Sequence, residues 1–327
     1  MRLATLKANG RDGVLVVVDR AMRRALKAEG IAATMREAIE NWAQAEPRLT
    51  ALAETLEAGK APPGAFAFDP EACAAPLPRS FAFLDGSAYL NHIELARRAR
   101  GDSLPDTLES DPLMYQGCAD QLLGPRDPIP GEESWGLDFE AESAVILDDV
   151  PMGVTPEEAA THIKLVMLLN DISARRLVPA ELAKGFGFLH GKPPSSFSPV
   201  AATPDSLGAD WDGARLHGRL VSTFNGTRFG SPDAAVDMHF SFPDLIAHAA
   251  KTRPLGAGTI IGSGTVSNAD RATGSSCLLE RRMIEKIETG KVTTALMKPG
   301  DRIRIEMLDA NGDSVFGAID QVVVARG

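Results

Sequence analysis

Cysteine is scarce. The 327 residues hold three, Cys73, Cys118 and Cys277, with no C-x-x-C pair and no spacing that suggests a disulfide framework. That usage fits a reducing, cytoplasmic setting. The six histidines (His92, His162, His190, His217, His239 and His248) include no pair at zinc-ligand spacing. No stretch approaches the ~20 apolar residues of a membrane span, and Met1 to Lys7 lacks the apolar core of a leader. No Lys/Arg block stands out, and 34 Lys+Arg against 44 Asp+Glu leave a net charge of −10. Nucleic acid is therefore not expected as a partner. Internal repeats and long low-complexity tracts are absent. Gly262-Ser263-Gly264-Thr265 is not a P-loop, because no Gly-Lys-Ser/Thr follows it, and it is not G-x-S-x-G.

What is present is an ordinary globular balance, 44% hydrophobic and 24% charged. The length calls for one large domain or two unequal ones. Residues 1–26 read as β, with strands at Leu3 to Lys7 and Gly13 to Asp19 joined by an Asn9-Gly10 turn. Residues 34–58 have helical periodicity, opened by Thr34 with Glu37 at the capping-box position and ended by Gly59. Residues 59–80, rich in Pro, Ala and Gly, read as a connection. The boundary is placed near residue 75, giving segments 1–75 and 76–327.

The second segment opens with a strand at Phe81 to Leu84 and a polar helical run from Tyr89 to Arg100. Loop-rich stretches follow around Tyr115 and Arg126. Thr155-Pro156-Glu157-Glu158 starts a short helix. Lys164 to Leu169 is an apolar run read as a buried strand. Arg215 to Thr223 and Thr227 onward form a hairpin on Asn225-Gly226, and Ser241 caps a helix to about Lys251. Gly256 to Val266 reads as a Gly-rich strand, followed by two or three C-terminal strands with an Asn311-Gly312 turn. This is mainly β with some α, an α+β pattern without regular βα alternation.

The chemistry begins at Leu137-Asp138-Phe139-Glu140-Ala141-Glu142. On a strand, Glu140 and Glu142 share a face. Two carboxylates running into an apolar segment are costly to bury without a cation between them, although a solvated acidic face is the ordinary alternative. Asp171, at the end of the apolar run, supplies a third carboxylate, and Asp85, in a turn after a strand, a fourth. Each could equally be a cap or an Asx turn. Together they would suit Mg²⁺, Mn²⁺ or Ca²⁺. His92 is a natural base if it lies near such a site and is otherwise structural. Lys192, in a loop with rigid prolines, and Arg175 are surface cations or fixed partners of an oxyanion.

These residues resemble the fumarylacetoacetate hydrolase family, in its two-domain bacterial form. The signals are the D-x-E-x-E strand at Asp138–Glu142, Asn170-Asp171-Ile172-Ser173-Ala174-Arg175, the lysine loop at Lys192, Gly262-Ser263-Gly264-Thr265, and Leu278-Leu279-Glu280. They cover about residues 80–325. The resemblance implies a small N-terminal β-rich domain with one long helix, a larger mixed β-sandwich roll, and a homodimer. It implies metal ligands at Asp85, Glu140, Glu142 and Asp171, a water-activating base at His92 oriented by Glu280, and oxyanion partners at Lys192 and Arg175. Tyr115 and Thr265 match substrate-contacting positions. Ser87 stands where those hydrolases carry a substrate-contacting Tyr, and the lysine loop reads Lys192-Pro193-Pro194-Ser195-Ser196 where the family often has Gly or Asp and then Thr.

The implied activity is metal-dependent hydrolysis of a carbon–carbon bond in an anionic diketo acid, of the fumarylacetoacetate or acylpyruvate type, in aromatic or tyrosine catabolism. Two rivals remain open. One is a decarboxylase, hydratase or isomerase of 2-oxo acids built on the same enolate stabilisation. The other is a member that binds metal and a small acid without turnover.

Overall fold

The computed structural model describes residues 1–8, 10–58, 61–101, 103–309 and 311–326, with the Arg100 side chain left aside. The chain opens with β1 (Arg2–Ala8), β2 (Gly10–Val18) and β3 (Arg24–Lys27). The expected turn at Asn9 and helix end at Gly59 lie outside the described residues. The expected single helix is two, α1 (Met35–Glu40) and α2 (Trp42–Glu57), separated by Asn41 in a non-helical conformation. Thr34 caps α1 by accepting the Glu37 N–H at 3.2 Å, but Glu37 reaches back to the N–H of Ala33 rather than of Thr34. Strand β4 (Phe66–Ala67) then pairs with β3.

β5 (Phe83–Gly86), α3 (Leu90–Arg100), β6 (Met114–Gln116), β7 (Ile129–Gly131), β8 (Leu137–Asp138) and β9 (Ala141–Leu147) follow. After α4 (Pro156–Ala160), which carries the full capping box at Thr155 and Glu158, comes β10 (Ile163–Asn170). Next are β11 (Ser173–Ala174), α5 (Val178–Leu182), β12 (Ser196–Phe197), β13 (Ala201–Ala202) and α6 (Pro204–Leu207). The expected hairpin is shorter than its sequence pattern, β14 (Arg219–Phe224) and β15 (Thr227–Gly230), and α7 (Phe242–Ala249) follows. β16 (Ile260–Gly262) occupies only the middle of the Gly-rich run. α8 (Leu278–Thr289), β17 (Arg302–Leu308) and β18 (Ile319–Ala325) complete the chain.

The central sheet runs β4-β3-β2-β1-β13-β10-β9-β16-β5-β6, with β12 also pairing β10. The N-terminal strands thus extend this sheet, joined where Arg2 and Leu3 pair with Ala202 and Ala201. A second sheet, β15-β14-β17-β18-β7, packs through Ile303, Ile305, Met307 and Leu220 into one core with Val145, Val166 and Leu168 of the central sheet. Alternate residues of β9 and β10, including Ala144, Ile146, Leu165, Met167 and Leu169, pack on the other face against Leu3, Leu15, Val17 and the α1–α2 pair. Strands covered on both faces read as continuous apolar runs, which is why β10 was recognisable without alternation. Among the described residues, no helix is long and apolar enough to cross a membrane.

Candidate active site

Strand pairing brings the distant acids together. Asp85 lies opposite Tyr115 in the β5–β6 pair and beside Gly262 in the parallel β5–β16 pair. Gly262 in turn pairs with Ala144 of β9, and Glu142 of β9 faces Leu169 of β10, two residues before Asp171. A β-carbon on Gly262 would overlap the Asp85 carboxylate, so only glycine lets that carboxylate cross the strand. Gly264 adopts the left-handed conformation (φ 78°), and its N–H donates to Asp85 Oδ1 at 3.2 Å and Glu142 Oε2 at 3.1 Å.

Carboxylate oxygens of Asp85, Glu142 and Asp171 lie within 4.8 Å of one another, and all three residues are buried. Burial and the neighbouring Asp171 push the Asp85 carboxyl well up, while burial and Asp85 do the same to Glu142. Glu142 Oε1 is buried with no hydrogen-bond partner. Metal–oxygen distances of about 2.0–2.6 Å place opposing ligands about 4–5 Å apart, so this trio fits a hard divalent cation, with the orphaned Glu142 oxygen as a ligand atom.

Glu140 is held differently. Strand regularity breaks between β8 and β9, where Glu140 makes an isolated bridge to Cys277. One Glu140 oxygen accepts from Arg175 at 2.6 Å and from Thr265 at 2.7 Å; the other accepts from Lys192 at 2.6 Å and from Ser173 at 3.0 Å. Burial would raise this carboxyl, yet Arg175 and Lys192 hold it well below the usual range. The Lys192 ammonium also bonds Asp171 and lies 5.0 Å from the Tyr115 ring centroid. Burial alone would lower the Lys192 pKa, but Asp171 and Glu140 push it up and keep it charged. The β8–β11 ribbon, pairing Asp138 with Ser173, sets Arg175 against Asp138 at 2.9 Å.

Asp138 is not part of the acid trio. It accepts the Leu278 and Leu279 N–H groups at 2.7 and 2.9 Å and so fixes the start of α8. The first turn of α8 carries Glu280, whose Oε2 lies 2.9 Å from His92 Nδ1 on the first turn of α3. Glu280 is buried and His92 partly exposed. A carboxylate only accepts, so His92 Nδ1 carries the proton and Nε2 presents its lone pair. A ring nitrogen of His92 is within 4.8 Å of a Glu140 oxygen.

Tyr115 donates to Asp171 Oδ2 at 2.7 Å, and Thr265 spends its hydroxyl on Glu140. Ser87 lines the same cavity, with its N–H on the Leu113 carbonyl. Sequence reasoning assigned no role to Ser195, which donates to Asp171 Oδ1 at 2.7 Å, nor to Ser173, Val178 or Phe188. Ser173 and Ser195 lie inside the recognised motifs; Val178 and Phe188 had no local signal. The cavity measures about 170 Å³. A larger groove of about 890 Å³, lined by Arg2, Arg20, Glu54, Glu57 and Asp205, is separate from these residues. The smaller cavity holds the convergent acids, cations and histidine, and is the one equipped for catalysis.

Fold and site together define a mixed-sheet protein in which three buried carboxylates converge and a glutamate-paired histidine lines the same cavity. The chain belongs to the fumarylacetoacetate hydrolase family: residues 82–324 match the description "Fumarylacetoacetate (FAA) hydrolase C-terminal", and residues 1–79 match "Fumarylacetoacetase N-terminal domain 2". The chain is 29% identical over 165 residues to "Oxaloacetate tautomerase fahd2, mitochondrial" of Xenopus laevis, covering 47% of each protein. It is 27% identical over 197 residues to oxaloacetate tautomerase YisK of Bacillus subtilis, covering 60% of this chain and 62% of that one. The match therefore spans about half to three fifths of these relatives' length. Among solved structures, maleylpyruvate hydrolase from Sphingobium sp. SYK-6 in complex with manganese(II) ion and pyruvate is similar at a TM-score of 0.66 and 18% identity, over 100% of both chains. Fumarylacetoacetate hydrolase from Exiguobacterium antarcticum is similar at 0.67 and 18%, again over 100% of both. At these identities the likeness shows the fold.

Proposed function

We propose that the protein is a metal-dependent hydrolase that cleaves a carbon–carbon bond in an anionic diketo acid of the acylpyruvate or fumarylacetoacetate type. The observation that carries this reading is the His92–Glu280 pair, 2.9 Å apart, with His92 within 4.8 Å of Glu140 and lining the same cavity as Asp85 and Glu142. A Mg²⁺, Mn²⁺ or Ca²⁺ ion held by Asp85, Glu142 and Asp171, with Glu140 adjacent, would polarise the substrate oxygens as a Lewis acid. His92 Nε2 takes a proton from water, and Glu280 stabilises the imidazolium that forms. The water oxygen bonds to one carbonyl carbon, and Lys192 and Arg175 offset the charge gathering on the former carbonyl oxygen. The carbon–carbon bond then breaks, its electron pair leaving with the departing enolate, which is protonated to the ketone. Fumarylacetoacetate and fumarylpyruvate, each assayed with Mg²⁺ and with EDTA, test the proposal. Chelator-sensitive turnover of at least one is expected; turnover of neither, or turnover indifferent to EDTA, rejects it.

A second reading, tautomerisation of a compact 2-oxo acid, is favoured by one feature. Lys192 and Arg175 are anchored to Glu140 independently of His92, so an enolate could be held without water activation. His92→Ala separates the two, since hydrolysis needs the imidazole and enolate stabilisation alone does not.

A further inference from the structure

The segment after α5 forms one wall of the site. Glu181 clamps its far end: the carboxylate accepts backbone N–H groups from Leu189 at 3.1 Å, His190 at 2.8 Å and Gly191 at 2.8 Å. Between the clamped ends, Gly185 and Gly187 flank Phe186 with positive φ angles of 74° and 91°, a conformation that favours glycine. Phe186 is 99% exposed. Phe188 turns inward, its ring edge-on to Tyr115 at 5.4 Å and 75°. Tyr115 is itself fixed by its hydroxyl on Asp171 and by the nearby Lys192 ammonium. Among the described residues lining this cavity, Val178 and Phe188 are the hydrocarbon side chains; the rest are glycines or carry polar or charged groups.

A keto-acid head group belongs with the cations and the acid trio, which leaves the hydrocarbon end of a substrate facing Val178 and Phe188. The cavity, about 170 Å³, is small beside the ~300–1,000 Å³ of pockets for drug-sized ligands. We propose that Phe188, carried on the Glu181-clamped loop, is the specificity-determining residue: it contacts the substrate's acyl substituent and restricts the enzyme to short ones. This rests on the hydrolase reading above.

The test uses the full chain with Mg²⁺ and three acids of increasing acyl length, acetylpyruvate, butyrylpyruvate and hexanoylpyruvate. Wild type should lose kcat/KM as the acyl group lengthens. Phe188→Ala should raise the hexanoyl-to-acetyl ratio of kcat/KM about tenfold, mostly through KM, a range typical of pocket-size discrimination. Phe188→Trp should lower it. A merely structural role would depress all three substrates together, so an unchanged ratio in Phe188→Ala overturns the proposal. If wild type cleaves none of the three, the fumarylacetoacetate and fumarylpyruvate assay decides the hydrolase reading separately. The Phe188 assignment is then read from Mg²⁺-dependent thermal shifts with the same acids, where the preferred length must move upward in Phe188→Ala or the assignment fails.

Discussion

Glu280→Gln isolates the water-activating step. The substitution keeps the side chain's size and removes the charge facing His92 Nδ1 at 2.9 Å. Glu280 is 1% exposed, so water cannot replace what is lost. The wild-type carboxylate can only accept, which holds the proton on Nδ1. A Gln amide can donate instead, placing the ring proton on Nε2, where it blocks proton abstraction from water. Even in the other amide orientation, the imidazolium loses its counter-charge. General-base catalysis contributes about 10²–10⁴-fold, or about 3–5 kcal/mol at 1.36 kcal/mol per decade. Steady-state assays at saturating Mg²⁺ should show kcat falling by about 10²–10⁴ with a much smaller change in KM. Glu280 lies outside the acid trio, so Mg²⁺ should stabilise the variant against heat as it does the wild type. A kcat within about threefold of wild type would refute the assignment of His92 and Glu280.

Gly262→Ala should displace Asp85, because the new methyl would overlap its carboxylate and sit 2.9 Å from Leu169 Cδ2. Thermal shift should show a loss of Mg²⁺-dependent stabilisation, and a full Mg²⁺ response would contradict the packing argument. Burial pushes the Cys73 thiol up to about 12 and the Cys277 thiol well up. Maleimide labelling at neutral pH should therefore modify only the half-buried Cys118 in the native chain and all three cysteines after unfolding; prompt native labelling of Cys277 would contradict its burial. Burial alone would raise Glu285, but hydrogen bonds from Thr294 and Thr293 hold it down to about 2. Its folded pKa lies below the unfolded value of about 4.3, so its stabilising contribution is present above that value and fades as pH falls toward 2. The Tm deficit of Glu285→Gln should accordingly be larger at neutral pH than near the acid end of that window, and a deficit independent of pH would count against it.

The sequence disclosed the site's members better than their arrangement. The apolar run of β10 and the Asp171 that ends it were visible because a doubly covered strand shows as unbroken hydrophobicity. Glu140 and Glu142 were expected to work together from strand alternation. In the fold, the bridge from Glu140 to Cys277 interrupts the strand, so Glu142 joins Asp85 and Asp171 while Glu140 meets Lys192 and Arg175. That interruption depends on a partner 137 residues away, which no local period reports. The same limit hid the continuation of the N-terminal strands into the central sheet, which rests on Leu3 pairing with Ala201. The break at Asn41 was masked by apolar periodicity on both sides of it. Phe188 was invisible for a simpler reason. It sits in an irregular loop, and its contact with Tyr115 is set by where Glu181 clamps the backbone.

Anomalous diffraction from crystals grown with Mn²⁺ measures the centre itself. One strong manganese peak is expected, bounded by oxygens of Asp85, Glu142 and Asp171, with the otherwise unpartnered Glu142 Oε1 among its ligands. Manganese found only at surface carboxylates, with the three acids still sharing their space without it, would rule out a metal centre at Asp85, Glu142 and Asp171.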